Sequence, residues 1–339
     1  MQAAEQQIRQ SLSGRTIALL RLAPRLLVAP TFALALIPGT APAQTYPNKA
    51  IRVLAPAAGG AADTAARLIG QGLTRSLGQQ VIIDNRGGNG VIPAQVVAQA
   101  PSDGYTLLFY GLTLWHLPYL QDNVPFNMDL DFSPITLATS TPLVVVVNPT
   151  LPVKSIKELI ALAKARPGQL VYGSAAPGGA NHLSVELFKS MANVKISHIP
   201  YKGVAPALID LISGELQLMF PAVSSGMPHV KAGKLRALAI TTAQPSELTP
   251  DLPTVASAGL PGYEATYMTA MLAPARTPSN VIQRLNQEIL RALNAPEVKD
   301  KLLNLGTEVV GTSPAQLAEK AKIEAEKWGK VIKAAGVRS

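Results

Sequence analysis

No cysteine occurs in the 339 residues, which excludes disulfides, thiolate zinc sites, thiol nucleophiles and a lipid-modified thiol near the amino terminus. Histidine is scarce, four in all, without His-Glu-x-x-His spacing, so no metal and no cofactor is expected. Charge is thin as well. Charged residues make up 15% of the chain and aromatics 5%, with no basic stripe or interleaved aromatics of the kind that binds nucleic acid. Long apolar runs are also missing, since nothing approaches the ~20 residues of a membrane-spanning helix. What the chain has in quantity is small and aliphatic residues. A hydrophobic content of 47% supplies a large core without covalent staples.

The first 43 residues read as a signal peptide. Arg9, Arg15, Arg21 and Arg25 precede a short apolar run, residues 26–37, that Pro30 interrupts and Pro38 bounds. Ala41-Pro42-Ala43 then offers the small residues a signal peptidase reads, which places cleavage before Gln44. No adjacent arginine pair precedes the apolar run, so the general secretion route is expected, and a soluble, unanchored periplasmic protein with it. Taking the four arginines and Glu5 of this segment from the net charge of +9 leaves +6 on the mature chain. That surplus mildly favours anionic ligands.

From Ile51 onward short β-rich runs alternate with helical periods, which implies an α/β fold with mainly parallel sheets. Strands are expected over residues 51–55, 81–84 and 106–110, around a helix carrying Ala62, Ala65, Ala66, Ile69, Leu73 and Leu77 on one face and stopped by Gly78. A second helix is expected over 94–100. A stretch rich in Pro and Asp, 123–134, leads to a strand over 135–138 and the buried run 143–147, where a first crossover is placed. Ser155 and Glu158 mark a capping box. Strands over 170–174, 195–199 and 216–220 alternate with helices over 183–192 and 205–213, and residues 235–241 carry the chain back. Thr277-Pro278 and Ser313-Pro314 each open a helix. The last has Leu317, Ala321, Ala325, Trp328 and Ile332 on one face and a lysine-glutamate mixture, read as solvated, on the other. The length exceeds one ordinary core. Two lobes are therefore expected, one from residues 44–142 plus 242–339 and one from 143–241, with hinge strands near 143–147 and 237–241.

One local pattern occurs twice. A strand runs into Pro56-Ala-Ala-Gly-Gly-Ala-Ala-Asp63 and a helix, and another into Ala175-Ala-Pro-Gly-Gly-Ala-Asn-His182 and a helix. Glycines there let the backbone approach a ligand, and the first helical turn presents N–H groups with partial positive charge. Each is a candidate anion cradle. The same residues are equally compatible with ordinary tight turns in a chain rich in Ala and Gly.

At these residues the sequence resembles the Bug family, the TctC-type extracytoplasmic solute-binding proteins of tripartite tricarboxylate transporters. The likeness runs along the whole mature chain. It is carried by Tyr46-Pro47, the Pro56 to Asp63 loop, Asp84-Asn-Arg86, Asp103-Gly-Tyr-Thr-Leu-Leu108, Tyr172-Gly-Ser-Ala175, Ile199-Pro-Tyr-Lys-Gly203, Pro206-Ala-Leu208, Gly214, and Leu252-Pro-Thr254 with Gly259. The resemblance implies a Venus-flytrap fold, no enzymatic activity, and loops of both lobes pinching a carboxylate. Its ligand would be a small organic mono- or dicarboxylate, possibly aromatic, delivered by a monomer to membrane components of a tripartite transporter. Two departures bear on the ligand. Ala57 stands where many relatives carry an aromatic, and Pro221-Ala222 where many carry an aspartate, so an amino-acid ligand is disfavoured.

Candidate ligand-binding residues are Ala58, Gly59, Gly60, Asp63 and Thr64 in the first loop and Ser174, Gly178, Gly179, Asn181 and His182 in the second. Tyr201, just after a strand end where α/β proteins collect ligands, joins them. Tyr110, Trp115 and His116 are placed near the cleft's open side, with core packing the expectation for Trp115. His198 and His229 have no partner at a telling spacing. Two other readings compete: a hydrolase built on Ser174 and His182, which lacks the Gly-x-Ser-x-Gly elbow, and a periplasmic sensor feeding a two-component system.

Overall fold

The computed structural model describes residues 46–338 apart from Gly88 and Ala176; the expected leader and its cleavage site before Gln44 lie outside them. Strand β1 (Ile51–Ala55) turns through the first Gly-Gly loop into α1 (Ala61–Leu77), which buries Ala65, Ala66, Ile69, Leu73 and Leu77 and is capped by Gly78. This is the three-and-four stripe of the sequence, pressed onto the sheet. Next come β2 (Val81–Asn85), α2 (Val91–Ala98) and β3 (Thr106–Gly111), with β1 parallel to both its neighbours β2 and β3. A 3₁₀ turn (Leu112–His116) and the short helices α3 (Leu117–Leu120) and α4 (Met128–Asp131) lead into β4 (Phe132–Pro142).

The chain then changes sheet. β5 (Val144–Val147), α5 (Ile156–Ala165), β6 (Val171–Ser174), α6 (Ala180–Ala192), β7 (Ser197–Pro200), α7 (Val204–Ser213), β8 (Leu218–Met219), α8 (Val223–Lys231) and β9 (Arg236–Ile240) build a sheet of order β7-β6-β8-β5-β9. Ser155 caps α5 by accepting the Glu158 N–H, while the Glu158 carboxylate takes the Lys154 N–H instead of completing the box on Ser155. After β9 the chain returns. β10 (Thr266–Pro274) inserts between β4 and β3, antiparallel to both, and is followed by α9 (Ser279–Leu293), α10 (Pro296–Asn304), β11 (Glu308–Val309) and α11 (Pro314–Ala335). The first sheet is thus ordered β11-β4-β10-β3-β1-β2. Pro278 is the N-cap of α9, one residue beyond the expected Thr277 cap, because the Thr277 hydroxyl donates back to the Pro274 carbonyl.

The two-lobed α/β fold is that expected, with a correction inside each sheet: the pairing is mixed rather than mainly parallel. β1–β2, β1–β3, β6–β7 and β6–β8 are parallel, and the strands next to the sheet changes, β4, β5, β9 and β10, pair antiparallel. A strand arriving from the other sheet has no helical crossover to make it parallel to its neighbour.

Leu143 and Thr241 stand at the two sheet changes and are bonded to each other. The Thr241 backbone N–H donates to the Leu143 carbonyl at 3.0 Å, and the Thr241 hydroxyl accepts the Leu143 N–H and donates to the Leu143 carbonyl, each at 2.9 Å. Helix α11 also reaches both halves. Leu317 and Ala321 pack with Leu137 and Leu272 of the first sheet, and Trp328, Val331 and Ile332 join the core holding Leu183 and Phe188 of α6. Its polar face is solvated only in part, which corrects the sequence reading. Glu324 is buried, bonded to Lys327 and to the Trp328 indole and paired with Lys320. No helix among the described residues is long and apolar enough to cross a membrane.

Candidate functional site

The two glycine loops are built alike. Gly59 and Gly178 both take positive φ, 91° and 75°, a conformation that favours glycine, and Gly60 and Gly179 are the extended N-caps of α1 and α6. In each helix the third residue reaches back four positions to the backbone of the turn. The Asp63 carboxylate accepts the Gly59 N–H at 2.9 Å, and His182 Nδ1 accepts the Gly178 N–H at 3.0 Å. Those two amides are held within the loops, while the amides of Gly60 and Ala61 in one loop and of Gly179 and Ala180 in the other lead their helices and lack intrahelical acceptors.

In the first loop Ala58, Gly59 and Gly60 are exposed, and a Cβ placed on either glycine would meet nothing within 4 Å. Asp63, by contrast, is buried beneath them and also accepts from Arg67 and Asn85. Burial raises its carboxyl pKa, but the Gly59 N–H, the Asn85 amide and the Arg67 guanidinium outweigh this and hold it below the usual carboxylate range. Thr64 donates its hydroxyl to the Gly60 carbonyl. Asp63 and Thr64 therefore shape the loop from below.

In the second loop a Cβ on Gly178 would lie 2.9 Å from Leu120 of α3, a residue buried in the same core as Leu183 and Phe188 of α6. The Asn181 side-chain amide donates to the Phe220 carbonyl at 2.8 Å, which ties the start of α6 to Pro221-Ala222 beside the first crossover, where Ala222 bridges Leu143. Behind the loop lies a stack of rings. His182 and His198 are 4.1 Å apart at 13°, and His198 and Tyr172 are 4.7 Å apart. Ser174 Oγ bonds His198 Nε2 at 2.8 Å, Tyr172 donates to Glu186, and Lys189 pairs with Glu186 at 2.6 Å. Burial first, then the neighbouring His198, pushes the His182 pKa down to about 4, against the pull of Glu186. His198 is lowered too, by burial. With Nδ1 accepting from Gly178, the neutral His182 carries its proton on Nε2, toward Glu186.

The expected residues fall into two groups, Ala58 to Thr64 and Ser174 to His182. Tyr201 meets the second through its backbone: its N–H donates to the Ser174 carbonyl, while its ring lies over Gly173 on the α7 side and its hydroxyl donates to Asp210. Sequence reasoning passed over His198. The signal was its register, directly across from Tyr172 in the parallel β6–β7 pair, which puts it on the face that α6 covers. Ser174 is bonded to His198, not to His182 as the hydrolase reading required, and has no exposed surface through which a substrate could reach it.

Two α/β halves joined by paired crossovers, each presenting a glycine-led helix start, define a two-lobed solute-binding protein of the periplasmic type. The chain belongs to the Bug, or TctC-type, receptors of the tripartite tricarboxylate transporter family: residues 65–337 match the family described as "Tripartite tricarboxylate transporter family receptor". It is a binding protein, not an enzyme. Over 306 residues it is 34% identical to Protein BugT of Bordetella pertussis, covering 87% of this chain and 92% of that protein. Rpa4515 of R. palustris, solved with adipate, superposes with a TM-score of 0.72 at 36% identity, covering 86% of this chain and 99% of that one. MatC of Rhodopseudomonas palustris, solved with bound malate, gives 0.69 at 30% identity, covering 85% and 100%.

Proposed function

We propose that the protein captures a small organic carboxylate in the periplasm, between lobes formed by residues 44–142 plus 242–339 and 143–241, and passes it to the membrane components of a tripartite transporter. The observation that carries this reading is the matched construction of the α1 and α6 starts, each with its preceding glycine N–H drawn back by the third helical residue. Adipate and malate in two relatives support the chemical class. The magnitudes suffice. A micromolar site needs about −8 kcal/mol, and charge-assisted hydrogen bonds contribute about 1.5 to 3 kcal/mol each, so a few backbone donors and two helix termini reach it without a buried arginine. The two starts differ in charge: α1 holds an ionised Asp63 at its third position and α6 a neutral His182. An anion is therefore better received at α6. Pro221-Ala222 offers no carboxylate to an ammonium group, so amino acids are poor ligands. Closure of the lobes turns about Leu143 and Thr241, and a monomer suffices for delivery.

The test is a thermal-shift screen of organic acids on the mature protein, followed by calorimetry. An acid present at a hundredfold over its Kd adds about 2.7 kcal/mol of stability. Failure of every mono- and dicarboxylate to shift the midpoint, or tighter binding of aspartate than of succinate, overturns the reading.

A further inference from the structure

Between the 3₁₀ turn after β3, the start of β10, the first turn of α6 and helix α11 lies a cavity of about 20 Å³, lined by Thr113, His116, Leu143, Ala180, Thr266 and Trp328 among others. Most of this wall is apolar, yet two groups in it are unsatisfied. His116 is 4% exposed and neither ring nitrogen has a hydrogen-bond partner. The Thr266 hydroxyl is buried and unpartnered as well. Unpaired polar atoms on one small cavity are the signature of an enclosed bound molecule.

The chemistry of the wall narrows what it can be. Burial pushes the His116 pKa down to about 4, so the ring is neutral and offers one N–H donor and one nitrogen acceptor. Glu324 of α11 lines the same cavity, and it and Lys327 act on the ring with opposite charge. The Glu324 carboxylate excludes a second anion, and a cation finds that carboxylate already matched by Lys320, Lys327 and the Trp328 indole. An uncharged oxygen that both donates and accepts fits, and the volume admits one.

We infer that this cavity is a binding site for a single resident water that joins His116 to Thr266, and so links the turn after β3 to the strand that follows the second crossover. Leu143 lies in the same wall, which makes the water part of the joint on which the lobes turn. Ala180 at the start of α6 also lines this wall, so the cavity borders the carboxylate cradle, but the two groups the water joins, His116 and Thr266, are not cradle residues and can be tested without any ligand.

The test is a high-resolution crystal structure of the mature protein, free and with a bound acid. An oxygen within hydrogen-bond distance of a His116 nitrogen and of Thr266 Oγ1 in both crystals is expected. A dry cavity, a ligand atom in that place, or a His116 ring turned to a protein partner overturns the inference. Independently, His116→Phe and Thr266→Val are each expected to lower the urea midpoint, with the double variant losing less than the sum because one water serves both groups. Additive losses overturn it. Should His116→Phe fail to fold, the unaltered protein's crystals alone decide.

Discussion

Asp63 and His182 do the same work in opposite halves of the molecule: each is the third residue of its helix, and each accepts the N–H of the glycine four positions earlier, at 2.9 and 3.0 Å. One does so as an anion and the other as a neutral ring. Asp63→Ala leaves the Gly59 turn unheld beneath the loop, a loss of preorganisation set against the charge it removes, and is expected to weaken carboxylate binding about tenfold, equivalent to about 1.4 kcal/mol. Asp63→Asn keeps an acceptor and removes a negative charge beside the site, so it should bind as well as the natural protein or better. Calorimetry with the acid found in the screen decides, and a tenfold loss in the asparagine variant would contradict the shared role.

Acid should loosen the protein in a defined window. His182 and His116 are each held down to about 4 by burial, against about 6.5 in an unfolded chain. Between those values the unfolded chain takes up protons that the folded chain refuses. The stability is therefore complete above about pH 6.5, falls on acidification, and stops falling below about 4. At pH 5 the loss is about 2 kcal/mol for each histidine, read as a lower urea midpoint than at pH 7.5. His182→Asn should remove its share of the difference.

The joint offers a third prediction. Thr241→Val deletes a hydroxyl that serves both the N–H and the carbonyl of buried Leu143, leaving the N–H without its partner. A loss of about 1 to 3 kcal/mol is expected, together with faster amide exchange at Leu143. Exchange at Leu143 unchanged from the natural protein would show that the hydroxyl does not hold the crossover.

Gly72 tests packing where helix propensity points the other way. Alanine in a helix is ordinarily about 1 kcal/mol better than glycine, but a Cβ here would lie 2.4 Å from the Ala292 Cβ and 3.3 Å from its Cα on α9. Backbone must move to admit it, and overpacking costs about 1 to 3 kcal/mol. Gly72→Ala should lower the thermal midpoint, and Gly78→Ala, with open space around it but φ of 68°, should do so through strain alone.

Much of the fold was legible because it is local. The stripe on α1 and the Gly-Gly signal before α1 and α6 are read within a dozen residues, and each landed where expected. β10 was not seen. Its run Thr-Tyr-Met-Thr-Ala-Met-Leu-Ala-Pro lacks both alternation and β-branched density, since a strand paired on both edges and covered on both faces needs neither. The buried Glu324 was misread for a related reason: whether a charge on a helix faces water depends on what packs there, and α11 meets both sheets.

The order of residues along the chain settled the α/β class, the twin loops and the family, because periodicity, glycine placement and motif spacing are properties of short segments. Only the tertiary structure decided the mixed strand pairing, the Leu143–Thr241 joint, the stacking of His182 on His198 and the cavity shared by His116 and Thr266. Those contacts join residues 16 to 170 positions apart, and which distant side chains meet is set by how the packed layers come together, not by any local preference.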